Sequence, residues 1–315
     1  MPKVLRMKSP PKAGEIPYYR CIADENGTYS IDRFTFNFRV DDLFYKLLEL
    51  ELLRPEWRAV EHFAAHRFSD KVEVYQYLGL HIEMWRGRPS SMTGDICNCI
   101  KLDFNPNKCG DNPLLSKIFK AIREKATFTV DLSRVDYAFD IPLPLSDVYV
   151  LSRKSEGNYG TTRYYGKPGS NGHMRVYDKR MELLQKGNTE IGREVTRLEW
   201  EQRGGKDLKF TFDRFCVADF SGLQFPASVI PYIQPENINS AFSSMHYNTR
   251  PKYKKLFTPY PFYPERFLSL LDAYAEEYGV LGNRWSYTEW GTAKALVERS
   301  ETVSISLLSP SLVDL

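Results

Sequence analysis

A chain of 315 residues, 42% hydrophobic and 26% charged, can bury a sizeable core and is ordinary in charge for a globular protein. A formal net charge of +3 does not by itself call for a polyanionic partner, because charge must be clustered to matter. The first fourteen residues lack an apolar stretch of the secretory kind and no run approaches the ~18 apolar residues that span a bilayer, which excludes a membrane role and, with an odd five cysteines, predicts a reducing cytoplasm.

Residues 1–27 read as an irregular arm rich in Pro, Lys and Gly. From Tyr29 a strand is predicted by Ile31, Phe34, Phe36 and Phe38. Asp41 or Asp42 caps a helix whose apolar residues, Leu43, Phe44, Leu47, Leu48 and Leu50, fall near helical spacing. His62 and His66 lie four apart on a predicted helix but lack the Glu-flanked pattern of a zinc helix. Strands follow at Val72–Tyr77 and His81–Trp85, joined at Leu78-Gly79, then at Ile96–Phe104, and Pro113–Lys125 reads as a helix. Cys97, Cys99 and Cys109 form C-x-C-x9-C, which falls short of usual zinc spacing.

The second stretch repeats this order: a strand over Thr127–Ile141, a short helix from Ser146 to Arg153, strands at Thr161–Tyr165 and His173–Tyr177, a helix from Asp178 to Gln185, and a strand over Arg193–Gln202. The doubled β-α-β-β-α-β pattern predicts an α+β domain over 28–205, one antiparallel sheet with helices packed to one side. After Gly205 the texture changes to a C-terminal extension, 206–315. Pro226, Pro231 and Pro235 punctuate it, and Arg250, Lys252, Lys254 and Lys255 form a basic cluster interleaved with Tyr247 and Tyr253. An amphipathic helix over Pro264–Tyr278 ends at Gly279, and the Ser- and Leu-rich tail 301–315 has no clear period.

Three segments concentrate the chemistry. In Arg134-Val-Asp-Tyr-Ala-Phe-Asp140, alternation puts Asp136, Ala138 and Asp140 on one strand face, an arrangement that suits a hard cation better than a core. In Thr196-Arg-Leu-Glu-Trp-Glu-Gln-Arg203, the charged residues Arg197, Glu199, Glu201 and Arg203 alternate against Leu198 and Trp200. Such charges either pair across a wet face for under ~1 kcal/mol each, or converge with the aspartates on a metal. In Arg175-Val-Tyr-Asp-Lys179, Tyr177 is flanked by two cations. Ionising a phenol of pKa ~10 at pH 7 costs roughly 4 kcal/mol, and Arg175, Lys179 and a metal are expected to reduce that cost.

Together the segments resemble the Rep_trans family of plasmid rolling-circle replication initiators and related relaxases of conjugative elements. Its pattern R-x-D-x-A-x-D, T-x-Y-x-G, R-x-Y-D/E-K, R-x-E is met by Arg134, Asp136, Ala138 and Asp140; Thr162, Tyr164 and Gly166; Arg175, Tyr177, Asp178 and Lys179; and Arg197 and Glu199. The resemblance implies that Tyr177 is the nucleophile forming a 5′-phosphotyrosyl bond, aided by Lys179 and Arg175. It implies that Asp136, Asp140 and Glu199 hold Mg²⁺ or Mn²⁺, and that Arg197 contacts phosphate. Glu201 departs from the pattern and is a fourth candidate ligand; His173 lies close enough to assist proton transfer. Origin DNA with a hairpin or single-stranded nick site is the implied partner, recognised by the C-terminal part, where Arg250, Lys252, Lys254 and Lys255 are the candidates. A homodimer and a host helicase are implied as well. The alternatives are a conjugative relaxase, a non-catalytic DNA-binding regulator on the same fold, and a nuclease that uses water as nucleophile.

Overall fold

The computed structural model describes residues 5–6, 19–52, 58–59, 73–77, 79–85, 98–109, 112–124, 129–187, 192–203, 207–212, 214–218, 233–278 and 284–289. His62, His66, Cys97, Gly279, Pro226, Pro231 and the 301–315 tail fall outside these residues. The elements used below are β1 (Arg20–Asp24), β2 (Gly27–Val40), α1 (Asp42–Leu52), β3 (Glu73–Tyr77), β4 (Leu80–Trp85), β5 (Asn98–Phe104), α2 (Pro106–Cys109) and α3 (Pro113–Glu124). They continue with β6 (Thr129–Ile141), β7 (Val148–Leu151), β8 (Glu156–Tyr159), β9 (Thr162–Tyr165), β10 (His173–Asp178), α4 (Lys179–Gln185) and β11 (Thr196–Arg203). The last are β12 (Asp207–Phe212), β13 (Arg214–Ala218), α5 (Ile238–Ser244), α6 (Arg250–Lys254), β14 (Phe257–Pro259), α7 (Glu265–Tyr278) and β15 (Arg284–Glu289).

One antiparallel sheet dominates, in the order β8-β9-β10-β11-β6-β2-β5-β4-β3, with β1 paired beside β5 on the same edge of β2. The expected duplication is real at the level of topology. Around the central β2–β6 pair, each half runs outward as first, fourth, third, second strand: β2-β5-β4-β3 on one side, β6-β11-β10-β9 on the other.

The apolar back of this sheet is set by alternation. Val135, Tyr137 and Phe139 of β6 point the same way as Leu198 and Trp200 of β11, and all are buried. α7 covers them with Phe267, Leu268, Leu271, Tyr274 and Tyr278, spaced along one helical face. Phe267 sits 4.8 Å from Tyr137 and 5.3 Å from Tyr29 between ring centres, and Tyr278 stacks at 4.5 Å on Phe119 of α3. The segment after Gly205 therefore does not build a core of its own throughout, since α7 closes the core of the large sheet. Among the described residues no helix is long and apolar enough to cross a membrane.

Three details depart from expectation or add to it. Arg20–Asp24, read as part of the irregular arm, is a strand that turns back on β2 through Glu25 and Asn26. Gly27 in that turn has φ 154° and lies so close to β6 that a Cβ would sit 2.4 Å from the Asp140 carbonyl oxygen. The helix expected from Ser146 is a single 3₁₀ turn, Leu145–Asp147; Val148-Tyr-Val-Leu151 then suits a strand, β7, which pairs with β13. The basic cluster is helical, as α6, and its Tyr253 is buried with Tyr149, Phe242 and Phe257 in a second apolar cluster.

β2 and β6 each carry a bulge. Ile31 faces Tyr137 but Arg33 faces Asp136, so Asp32 has no opposite residue; Thr35 faces Arg134 but Phe36 faces Leu132, so Ser133 has none. A bulge re-aims the extra side chain. Asp32 is thereby sent toward the second half's chemistry.

Candidate active site

The front face of the second half is charged and yet largely buried. Register puts Arg197 between Asp140 and Tyr177, Glu199 between Ala138 and Arg175, and Glu201 between Asp136 and His173. The three predicted segments do lie on adjacent strands and face one way, as alternation requires.

Tyr177 donates its hydroxyl hydrogen to Glu199 Oε1, while Arg175 Nη2 bonds Glu199 Oε2. The carboxylate thus bridges phenol and guanidinium. Burial, then the negative charge of Glu199, raises the Tyr177 pKa well above 10, with Arg197 offsetting only part of it. The expectation that Arg175 and Lys179 would hold a phenolate is corrected here. Arg175 is engaged by Glu199, and Lys179 turns its ammonium 2.6 Å from Glu182 Oε2, lying 5.8 Å from the Tyr177 ring centre. Tyr177 is a neutral phenol hydrogen-bonded to a base.

Asp32, which the motifs did not single out, completes this group. It shares a hydrogen bond with Glu199, receives Arg197 Nη1 at 3.1 Å, and accepts the Asn107 amide at 3.0 Å. Burial favours its protonated form, but Arg197 and Lys179 outweigh this and bring its pKa down to about 2. Glu199 moves the other way, raised by burial and by the charge of Asp32. Each buried carboxylate opposes the other's ionisation, and Arg197 and Lys179 beside Asp32 leave Glu199 as the stronger base of the two.

Asn107 is held by a one-turn helix. Asn105 accepts from the Asn107 backbone at 2.8 Å, and Pro106 suits the first helical position. The Asn107 amide also reaches the Ile31 carbonyl at 3.0 Å, so it clamps both sides of the Asp32 bulge.

The four carboxylates expected to share one ion do not meet around a point. Asp136 and Asp140 are four residues apart on one strand, roughly 13 Å at ~3.3 Å per residue. Each is gripped by an arginine in a two-pronged ion pair: Arg134 on Asp136 at 2.7 and 2.6 Å, Arg197 on Asp140 at 2.6 and 2.7 Å. Glu201 joins Arg134 at 3.0 Å and Arg203, at the far end of the strand from Tyr177. Among the described residues no group of three or more His, Cys, Asp or Glu side chains is arranged to hold a metal ion. The pair that does come together beside the phenol is Glu199 with Asp32. Two adjacent carboxylates match how Mg²⁺ is commonly held, with substrate phosphates and water completing the shell.

Arg197 is likewise recast. It is 2% exposed and its guanidinium is spent on Asp140 and Asp32, so it fixes the floor of the site and does not reach out to a phosphate. His173 is buried, its pKa lowered chiefly by that burial, and its ring stacks at 5.9 Å on Tyr164. The floor opens into a cleft of about 500 Å³ lined by Tyr164, Arg175, Tyr177, Lys179, Glu182 and Glu199, with Asp32 and Lys108 at its side. α4 begins at this rim because Asp178 caps it, accepting from the Met181 backbone at 3.0 Å.

In the C-terminal cluster, Arg250 is spent bracing α5, donating to the Met245 and Ser243 carbonyls at 2.9 and 2.8 Å. Lys252, Lys254 and Lys255 are exposed, as is Tyr247 at 71%. Among the described residues neither Cys99 nor Cys109 is in a disulfide, and the Cys109 thiol bonds the Asn105 carbonyl.

No protein-family model matches the chain. It is similar to a "Replication initiation protein" of Staphylococcus aureus, 25% identical over 257 residues that span 75% of this chain and 76% of that one. It also has a slight likeness, TM-score 0.33 and 17% identity over 56% of this chain and 74% of the other, to the "Structure of Rolling Circle Replication Initiator Protein from Geobacillus stearothermophilus". The similarity to the replication initiation protein spans three quarters of both chains, and the residues that carry the resemblance to rolling-circle initiators lie on adjacent strands of one sheet face.

Proposed function

We propose that this protein is a rolling-circle replication initiator that nicks one strand of plasmid origin DNA through Tyr177 and holds the new 5′ phosphate as a phosphotyrosyl ester. The observation that carries this reading is the hydrogen bond from the Tyr177 hydroxyl to Glu199 at the floor of an open cleft.

The chain's own groups supply a balanced transfer. The phenol oxygen attacks phosphorus as its proton passes to Glu199, whose raised pKa makes it a stronger base than an ordinary glutamate. The bond from phosphorus to the 3′ oxygen breaks, and Lys179, its pKa lowered by burial and by Arg197, is placed to give the departing oxygen a proton. One phosphodiester is exchanged for another, so the strand is rejoined by the reverse path without an external energy source. Arg175, the most accessible cation beside Glu199, balances charge on the phosphate. Mg²⁺ or Mn²⁺ would be held by Glu199 and Asp32 and would polarise the scissile phosphate as a Lewis acid. The exposed Lys252, Lys254 and Lys255 on and after α6 are the proposed origin contacts, and a homodimer that recruits a host helicase fits the same role.

The test is a denaturing gel of the protein mixed with end-labelled single-stranded origin oligonucleotide and Mn²⁺. Label retained on wild-type protein and absent from Tyr177→Phe is the expected result. Label released only as free fragments would indicate water as the nucleophile and refute the strand-transfer reading.

A further inference from the structure

Six lysines and arginines line the tyrosine cleft and the adjoining cleft of about 460 Å³ over β4 and β5: Arg33, Lys108, Arg175, Lys179, Lys186 and Arg197. Five are committed to carboxylates. Arg33 grips Asp103 at 2.6 Å, Arg175 meets Glu199, Lys179 and Lys186 share Glu182, and Arg197 holds Asp140 and Asp32. Lys108 is exposed and has no acidic partner among the described residues. It is also one of four residues, with Asp32, Asn105 and Arg175, that line both clefts, so it stands where one passes into the other.

Its place is fixed. The Lys108 backbone bonds the Asn105 carbonyl at 3.0 Å, and its neighbour Asn107 is tied to Asp32 and to the Ile31 carbonyl. Among the described residues, the one cation of the groove that no carboxylate holds is therefore anchored on the same one-turn helix that positions Asp32. An anion binding there displaces no ion pair, whereas at each of the other five cations it would compete with a carboxylate already in place.

From this we infer that Lys108 is a phosphate anchor for single-stranded DNA, and that the bound strand runs from the tyrosine cleft across α2 into the cleft over β4 and β5. The inference rests on the nicking function proposed above and adds the path of the strand.

The experiment uses full-length protein carrying Tyr177→Phe, so that binding is read without reaction, and a fluorescent single-stranded origin oligonucleotide titrated across a salt series. Lys108→Ala is expected to weaken binding several-fold at low salt and to lower the slope of log affinity against log salt by ~0.7, the value of one phosphate contact on single-stranded DNA. Lys108→Arg restores both, and Lys46→Ala, which removes an exposed lysine paired with Asp42 on α1, leaves the slope unchanged. Trimming the oligonucleotide from one of its ends abolishes the difference between the parent protein and its Lys108→Ala variant. An unchanged slope in Lys108→Ala, while protein with Tyr177 intact still forms its adduct, overturns the anchor and leaves the nicking function standing. A difference that survives trimming from both ends overturns the path. Failure of the parent protein to bind, together with failure of the Tyr177 protein to form an adduct, overturns the two proposals together.

Discussion

The two halves of the sheet share a strand order but not a chemistry, and the register lets them be compared residue by residue. On the third and fourth strands of the first half, Trp85 faces Cys99, Glu83 faces Lys101, and His81 faces Asp103. At the matching positions of the second half, Tyr177 faces Arg197, Arg175 faces Glu199, and His173 faces Glu201. On the first strand, Thr35, Asn37 and Arg39 stand where Asp136, Ala138 and Asp140 stand in the second half. The first half keeps an ion pair at the centre, Lys101 to Glu83 at 2.8 Å, with its polarity reversed between strands. Its tryptophan stands where the second half has a phenol beside a carboxylate. The same frame thus yields a cross-strand salt bridge in one half and a candidate nucleophile with its base in the other. The difference lies in a few residues and not in the fold.

The bulges sharpen the contrast. They fall at matching places in β2 and β6, but the extra residue is Asp32 in one and Ser133 in the other. Ser133 spends its hydroxyl on the Thr35 carbonyl at 3.1 Å. Asp32 instead crosses to the partner half, where its charge helps to raise the pKa of Glu199. The candidate site of the second half is therefore completed by a residue from the first.

The largest expected effect comes from exchanging the equivalent aromatic residues. Tyr177→Trp, which gives the second half the residue of the first, should remove all detectable covalent DNA adduct. Trp85→Tyr should create none, because Lys101 stands where a base is needed. A labelled adduct mapped to position 85 would break the comparison. Next is Glu199→Gln, expected to slow adduct formation by about 10²–10⁴-fold, the usual worth of a positioned general base, in a single-turnover assay. A rate within a factor of about two of wild type would remove Glu199 from the reaction.

Stability offers a third contrast. Arg197→Met strands Asp140 and Asp32 in a buried site and should cost about 3–5 kcal/mol in urea unfolding. Lys101→Met in the first half breaks a pair whose lysine is 27% exposed and should cost markedly less. Equal losses would mean that the buried arginine does not brace the site. Asp32→Ser, which copies Ser133 of the second half into the matching place of the first, is expected to reduce the adduct rate about tenfold or more and to raise the Mn²⁺ concentration needed for half-maximal rate, on the scale seen when a metal-supporting group is lost.

Much of this was legible in the sequence. Strand alternation identified Asp136 with Asp140, and Glu199 with Arg197, as facing residues, and R-x-Y-D-K located Tyr177 on the strand that enters α4. What alternation could not give was distance: residues sharing a face need not share an ion, and Asp136 and Asp140 are separated by their own spacing along the strand. Asp32 was missed because it breaks the pattern that finds such residues. The signal was nevertheless present. Buried positions fall at Tyr29 and Ile31, then at Phe34, Phe36 and Phe38, and this change of phase marks a bulge at 32–33. The same change separates Leu132 from Val135, Tyr137 and Phe139. Asn107 and Lys108 carried no such mark, since their importance comes from a contact between α2 and a strand some seventy-five residues earlier.

The smallest predicted effect lies at the outer edge of the second half, where β8 meets the C-terminal segment. Glu156 sits beside Asn239, Arg163 and Glu236; burial raises its pKa to about 7, with Asn239 and Arg163 offsetting part of that rise and Glu236 adding to it. Asn239 itself pins α5 to β7, accepting from the Ser152 backbone at 2.9 Å and donating to the Val150 carbonyl at 2.8 Å. A carboxyl whose folded pKa exceeds its ordinary value of 4.5 contributes stability in full below that value and loses it as pH rises through about 7. The contact between β8 and α5 should therefore weaken between about pH 5 and 8. Because the side chain is only partly buried, solvent screening keeps the effect modest. Glu156→Gln should raise Tm by a few degrees at about pH 8, on the scale of about 2–4 °C per kcal/mol, and change it little at about pH 5. A gain of equal size at both pH values would show that the carboxyl's charge has no part in that contact, and would leave Asn239 as the group that fastens the C-terminal segment to the second half.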